Sequence, residues 1–199
     1  MDDWMRLLPP IALLATFACV CIALLYLAFR SMMFCSSMKA LATELSLHYT
    51  QTMLFDPPAV GGMYQGRMVG VDVVEVPCKK GSEKNTRVRV FHNGTVDNDF
   101  TIGKNEFFKK SCKDSTVRRL DTGNQKFDSE HMVMGGEIAK VKEFLNAETQ
   151  GRIIECDFPF TVGKHHVSFS TVGCARDRKM LADALKFLLE MSTRVEELG

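Results

Sequence analysis

The stretch Leu7–Phe29 (LLPPIALLATFACVCIALLYLAF) constrains this chain more than any other part of it. It contains no charged side chain, and it is bounded by Asp2, Asp3 and Arg6 on one side and Arg30 on the other. An α-helix rises about 1.5 Å per residue, so a run of this length spans a hydrocarbon core of roughly 30 Å. The reading that follows is a single transmembrane helix, with residues 1–36 as anchor and flanks and residues 37–199 as a soluble domain. A cleavable signal peptide would need a basic start and a shorter apolar core; here the start is acidic. Pro9 and Pro10 are expected in the first helical turn, where a missing N–H costs nothing. Trp4 and Tyr26 suit the two interfaces.

Two observations bear on orientation. Arg30 and Lys39 follow the apolar run, whereas two carboxylates accompany Arg6 before it. Positive residues stay inside, so the domain is expected on the cytoplasmic side. The cysteines agree. Five of the seven (Cys35, Cys78, Cys112, Cys156 and Cys174) lie outside the apolar run, widely spaced and without a C-x-x-C. That pattern is neither a disulfide framework nor a zinc ribbon, and it predicts free thiols in a reducing compartment. Ala15, Cys19 and Ala23 form a small-residue stripe at helical spacing, a candidate face for a homodimer.

Net charge over the 199 residues is +1, which excludes a nucleic-acid polycation. The charge is uneven, however, with Lys and Arg concentrated between Lys79 and Arg119. Held beside an anionic leaflet, each such residue contributes about 1 kcal/mol of attraction. The residues expected to face the membrane or a partner are Arg87, Arg89, Phe107, Phe108, Lys109, Lys110, Arg118 and Arg119. Phe107-Phe108 beside Lys109-Lys110 has the apolar-plus-basic character of an interfacial contact. No aromatic stacking pattern interleaves these charges, so no nucleic acid is expected.

After the membrane run, Met38, Leu41 and Leu45 recur at helical spacing, in a helix that can continue directly from the anchor. Strands are expected at Val60–Tyr64, Arg67–Val76, Thr86–His92 and Phe100–Ile102, with Lys79–Asn85 a polar loop. In Thr86–His92, Arg87 and Arg89 share one face, and Val88 and Val90 the other. Asn93-Gly94 reads as a hairpin turn. Asn105–Cys112 suits a short helix, the run to Gln125 a loop and Lys126–Met134 a strand. Glu137–Asn146 suits a helix with Ile138, Val141, Phe144 and Leu145 on its apolar side. Arg152–Asp157 and Thr161–Val172 read as strands, the latter turned at Gly163-Lys164. The final helix, Arg176–Glu197, presents Leu181, Leu185, Leu188, Met191 or Ser192, and Val195 as a core stripe. This order gives an α+β fold: one N-terminal transmembrane helix, then a mainly antiparallel sheet with covering helices.

No catalytic, cofactor or metal signature is present. The G-x-S-x-G, G-x-G-x-x-G and P-loop patterns are all missing, and His165 and His166 point to opposite faces of a strand. Asp121 and Asp128 could form an acid–base or cation pair. Their plainer role is local: Asp121 and Thr122 capping a turn, and Asp128 at a strand start.

The segment Asp121-Thr122-Gly123-Asn124-Gln125-Lys126-Phe127-Asp128, with Phe144-Leu145-Asn146-Ala147-Glu148 after it, resembles a pattern in uncharacterised prokaryotic membrane-anchored proteins. Those read T-G-D-x-x-F-D-x-x-F-x-V, a helix, then L-L-T-P-E. Gly62-x-Tyr64-x-Gly66-Arg67 is similar to their glycine–aromatic–glycine segment. Here Asn124 replaces the usual Asp, and Asn146-Ala147 replaces Thr-Pro. The resemblance implies a membrane-anchored α+β domain and carries no activity.

The expectation is therefore a non-enzymatic interaction module at the membrane surface, meeting the bilayer, anionic headgroups or a membrane protein. Its rivals are a hydrolase or thiol enzyme whose site assembles only in the fold, and a subunit of a larger membrane complex.

Overall fold

The computed structural model describes residues 3–53, 56–78, 81–111, 119–156, 158–175 and 177–198. Helix α1 (Asp3–Glu44) opens the chain and is followed by β1 (His48–Thr50), β2 (Ala59–Tyr64), β3 (Arg67–Cys78), β4 (Gly81–Phe91), β5 (Phe100–Lys104) and α2 (Asn105–Ser111). Then come β6 (Arg119–Leu120), α3 (Gln125–Glu130), β7 (His131–Gly135), α4 (Ile138–Phe144), α5 (Ala147–Glu155), β8 (Phe160–Val162), β9 (His166–Val172) and α6 (Arg178–Glu196). Among the described residues the strands form one sheet in the order β1-β2-β3-β4-β9-β8-β5-β7-β6, with every neighbouring pair antiparallel. The fold is α+β, as the pattern of apolar periods requires.

Helix α1 is the unusual element. Among the described residues it alone is long and apolar enough to cross a membrane. Its exposed part includes Leu14 (68% exposed) and Leu25 (70%), yet Phe34, Met38, Leu41 and Ala42 at its far end are buried, as is Leu45 just after it. One rod therefore meets two environments. The expected boundary at residue 36 falls inside this unbroken helix, and Phe34 already belongs to the core. The helix also begins before Pro9 and Pro10, which thus sit beyond its first turn and leave the carbonyls of Met5 and Arg6 without helical N–H donors.

The core lies between one face of the sheet and the helices. Val60, Val69, Val71, Val88, Val90, Phe160, Val167 and Phe169 point inward, alternating with outward residues along each strand. Helix α6 closes this face with Leu181, Leu185, Leu188, Met191, Ser192 and Val195, all buried, so the expected stripe is the observed one. Aromatic edges lock the far end: Phe144 meets Phe100 with ring centroids 5.4 Å apart, and Phe160 meets Phe187 at 5.1 Å. The β2–β3 turn is a two-residue hairpin in which Gln65 (φ 49°) and Gly66 (φ 78°) both take positive φ, the geometry that matches strand twist.

Several local expectations are corrected. Lys126–Met134 is not one strand. Its first half is helix α3, because the Asn124 side chain accepts from the Lys126 and Phe127 N–H groups and caps it. Asp128 is accordingly in the first turn of a helix, not at a strand start. Of the expected strand Arg152–Asp157, residues 152–155 are helix instead, and Asp157 lies outside the described residues. Asn146 caps α5 by accepting from the Thr149 N–H at 2.8 Å, and Thr149, Gln150 and Ile153 face inward at helical spacing. Residues 81–85 are strand, not loop, with Lys84 opposite Glu75. Ile138, expected on the apolar side of α4, is 42% exposed.

Asn93-Gly94 is not a hairpin turn, because β4 pairs with β3 and β9 while β5 pairs with β7 and β8. The glycine serves close approach instead: a Cβ there would stand 2.8 Å from the Val195 carbonyl oxygen. Beside it, Glu196 accepts from the Asn93 N–H at 3.0 Å and from Arg67 Nη2 at 2.8 Å, tying the end of α6 to β3. Arg67 and the Asn93 N–H pull the pKa of the Glu196 carboxyl down to about 2.

Two outcomes follow from this clamp. Gly94→Ala presses against backbone that cannot yield, and should cost about 1–3 kcal/mol in urea unfolding. For Glu196, the folded carboxyl lies below its ordinary value of 4.5, so its contribution is complete above pH 4.5 and is lost as pH falls toward 2. The melting temperature of Glu196→Gln should therefore change less between pH 5 and pH 2 than that of the parent chain.

Candidate interaction face

Among the described residues, the helices cover one face of the sheet and leave the other open over its β2–β3–β4–β9 half. This face is built by strand alternation: Val69, Val71, Val88 and Val90 turn inward, so Gly70, Asp72, Arg87 and Arg89 turn outward. Register brings them together. Gly70 stands opposite Arg89 and Asp72 opposite Arg87, while on the next strand Ser168 faces Arg89 and Ser170 faces Arg87.

Asp72 bonds both guanidiniums. Its Oδ1 accepts from Arg87 Nε at 3.1 Å, and its Oδ2 accepts from Arg87 Nη2 at 2.9 Å and from Arg89 Nη2 at 2.7 Å. One carboxylate against two guanidiniums leaves the patch positive. Arg89 also lies over the Phe91 ring, 5.5 Å from its centroid, and its buried Nε has no acceptor among the described residues. The Phe91 ring stands 5.8 Å from His166. Burial first, and then the Arg89 and Arg87 charges, push the His166 imidazole below its ordinary value, so it stays neutral beside them. Met63 and Met68, paired across the β2–β3 hairpin, are 61% and 56% exposed and give the patch a polarizable apolar border.

The residues expected to face membrane or partner do not converge on one place. Arg87 and Arg89 do share this face. Phe107 is half-buried and Phe108 is 4% exposed on α2, which packs on β5. Strand β5 is three strand spacings from β4, about 14 Å. Arg119 is exposed on β6 and donates to the Asp128 carbonyl at 2.9 Å. The side chains of Lys109 and Lys110 lie outside the described residues, as does Arg118. Ala15, Cys19 and Ala23 lie on the exposed length of α1. Asp72, Phe91 and His166 complete the patch, although the basic run by itself does not single them out. The alternation of Val69, Gly70, Val71, Asp72 and Val73 holds the clue: a carboxylate on the outer face opposite two arginines of the same parity.

The other candidate groups serve structure. Asp121 Oδ1 accepts from the Gly123 N–H at 2.8 Å, Asp128 Oδ1 accepts from Thr122 Oγ1 at 2.8 Å, and Asn124 also donates to Gln150. These bonds build a turn, as the plainer reading of Asp121 and Thr122 expects, and the Gly123 N–H holds the Asp121 carboxyl below its ordinary value. His92 is buried with Nε2 3.0 Å from the Gly163 carbonyl, and His131 stacks on Phe127 at 4.9 Å. Burial pushes the Cys156 thiol up, opposite to what a nucleophilic thiolate needs. Cys19, Cys21, Cys35, Cys156 and Cys174 are free, and among the described residues no group of three His, Cys, Asp or Glu side chains is placed to hold a metal.

An apolar helix feeding an α+β domain with a one-sided antiparallel sheet defines the architectural class. Among solved structures, the crystal structure of the mycobacterial trehalose monomycolate transport factor A, TtfA, shares this fold. The TM-score is 0.52 at 10% sequence identity, over 83% of this chain and 93% of that one. No family model matches the sequence, and no curated protein matches it.

Removing the shared carboxylate should cost more than removing either partner. Asp72→Ala leaves two adjacent guanidiniums without a counter-charge and should destabilise the domain by about 1–2 kcal/mol in urea unfolding. Arg87→Ala keeps the Asp72–Arg89 bond and should cost about 0.5 kcal/mol.

Proposed function

We propose that this chain is a single-pass membrane-anchored, non-enzymatic interaction module whose domain stands on the cytoplasmic side and serves as an accessory subunit of a larger membrane assembly. The observation that carries the reading is the continuity of α1. The helix that is long and apolar enough for a bilayer runs without interruption into the hydrophobic core at Phe34, Met38 and Leu41. A flexible tether would let the domain reach in many directions. A rigid rod holds one face of it at a set height and angle over the lipid, which suits a subunit that docks on a neighbour in the same membrane. The likeness in fold to TtfA, a transport factor, supports a role beside transport machinery over an enzymatic one. The Arg87–Arg89–Asp72 patch with Met63 and Met68 supplies a positive, apolar-bordered surface for a membrane protein partner.

The experiment is a pull-down of the intact chain from its own membrane after mild solubilisation, together with an alkaline carbonate wash. The parent chain should stay in the pellet and bring down a defined membrane protein. Insertion of six Gly/Ser residues after Met33 should leave it in the pellet and reduce partner capture at least fivefold. Arg89→Glu should do the same without the insertion. Release of the parent chain by carbonate overturns the anchoring, and undiminished capture by both variants overturns the rigid docking.

A further inference from the structure

A groove of about 500 Å³ lies where α1 leaves the domain, between that helix, the loop before β2, the start of β4 and the residues after β9. Its lining includes Leu27, Arg30 and Phe34 of α1, Asp56 of the loop before β2, and Glu83 and Lys84 of β4. That volume falls within the range of ligand sites, roughly 300–1,000 Å³, and its walls combine apolar surface with a few charged groups, as such sites do. Lys84 shares the parity of the buried Thr86, Val88 and Val90, the face that α1 also takes, and stands opposite Glu75, while Glu83 beside it also borders the groove.

The height of the groove is what identifies its occupant. Leu27 sits in the last turn of the uncharged run, Arg30 is the first charge after it, and Phe34 is the first core residue of the domain. From Leu27 to Phe34 the helix rises about 10 Å. A bilayer passes from hydrocarbon through roughly 5–7 Å of headgroup region to water over a comparable distance. The apolar end of the groove therefore lies level with acyl chains and its charged end with phosphates. Arg30 and Lys84 have no carboxylate partner among the described residues, and the Asp56 carboxylate, on the same wall, has no cationic one. Two cations, Arg30 and Lys84, and two carboxylates, Asp56 and Glu83, in one groove complement a headgroup that carries both a phosphate and an amine.

We propose that this groove is a phospholipid site for phosphatidylethanolamine of the surrounding leaflet. The phosphate sits between Arg30 and Lys84, the ammonium meets Asp56, and an acyl chain runs back along Leu27. This rests on the membrane-anchored reading above and adds a bound lipid that wedges the domain against the end of its anchor.

The test reconstitutes the full chain in nanodiscs containing a phosphatidylethanolamine analogue with a photoreactive group near the headgroup. Cross-linked peptides are then mapped by mass spectrometry. Labelling should concentrate on residues 27–34 and 82–84, and fall at least fivefold in the Arg30→Ala/Lys84→Ala double variant. Both side chains are exposed, and an unchanged melting temperature checks that the fold is intact. Unlabelled phosphatidylethanolamine should compete better than phosphatidylglycerol, and Asp56→Asn should abolish that preference. Labelling spread evenly around α1 and indifferent to the double variant overturns the site, as does equal competition by phosphatidylglycerol. A chain that never enters the nanodisc overturns the anchoring itself. One that enters it and labels indifferently overturns only the groove.

Discussion

The rest of the structure depends on one helix being stable in two environments at once. Between Leu14 and Met33, nearly every side chain of α1 is exposed, and nearly every one is apolar. From Phe34 onward the helix follows the ordinary rule for a core helix, with Phe34, Met38, Leu41 and Ala42 buried in the core. Burying a side chain such as Met38 or Leu41 contributes about 1.5–3 kcal/mol. Pulling the helix off the sheet would forfeit several of these together. The junction is thus held by the same hydrophobic force that holds the domain.

That arrangement also explains the one-sided sheet. Helix α1 and α6 take the same face, and Val60, Val69, Val71, Val88, Val90 and Val167 turn toward them. The opposite face carries Gly70, Asp72, Arg87, Arg89, Ser168 and Ser170 at its centre, bordered by Met63, Met68 and Phe91. Antiparallel sheets tolerate one wet face, and the alternation along β4 is the local signature of that division. On the wet face, a single carboxylate shared between two arginines orders the patch and keeps it positive. Order matters here because an ion pair with a bidentate limb presents a defined surface, while freely moving arginines present only charge.

Much of this was legible along the chain. The apolar run, the continuation through Met38 and Leu41, the alternation of Arg87 and Arg89 with Val88 and Val90, and the stripe of α6 all follow from local periodicity. What escaped was decided by caps and by partners. Lys126–Met134 and Arg152–Asp157 carry enough apolar residues to read as strands, but Asn124 and Asn146 each offer a side-chain oxygen to the N–H groups of a first turn, and helices form. Asn93-Gly94 has the composition of a hairpin turn, yet β9, from the far end of the chain, takes the place beside β4. Its glycine is needed because Val195 passes too close for a side chain. The basic segment illustrates the same limit: charge along the chain said nothing of which residues share a surface, and the fold separates Arg87 and Arg89 from Phe107, Phe108 and Arg119.

By itself, the sequence determined that the chain has a helix long enough to cross a bilayer and an α+β domain behind it, because both properties depend on residues near one another in the chain. Only the tertiary structure decided that the apolar run and the core are joined in one rigid rod, that Asp72 gathers Arg87 and Arg89, and that Lys84 comes to face Arg30 across a groove. Each of these joins residues that are distant along the chain or separated by a strand, so it depends on strand order and register, which no local pattern encodes.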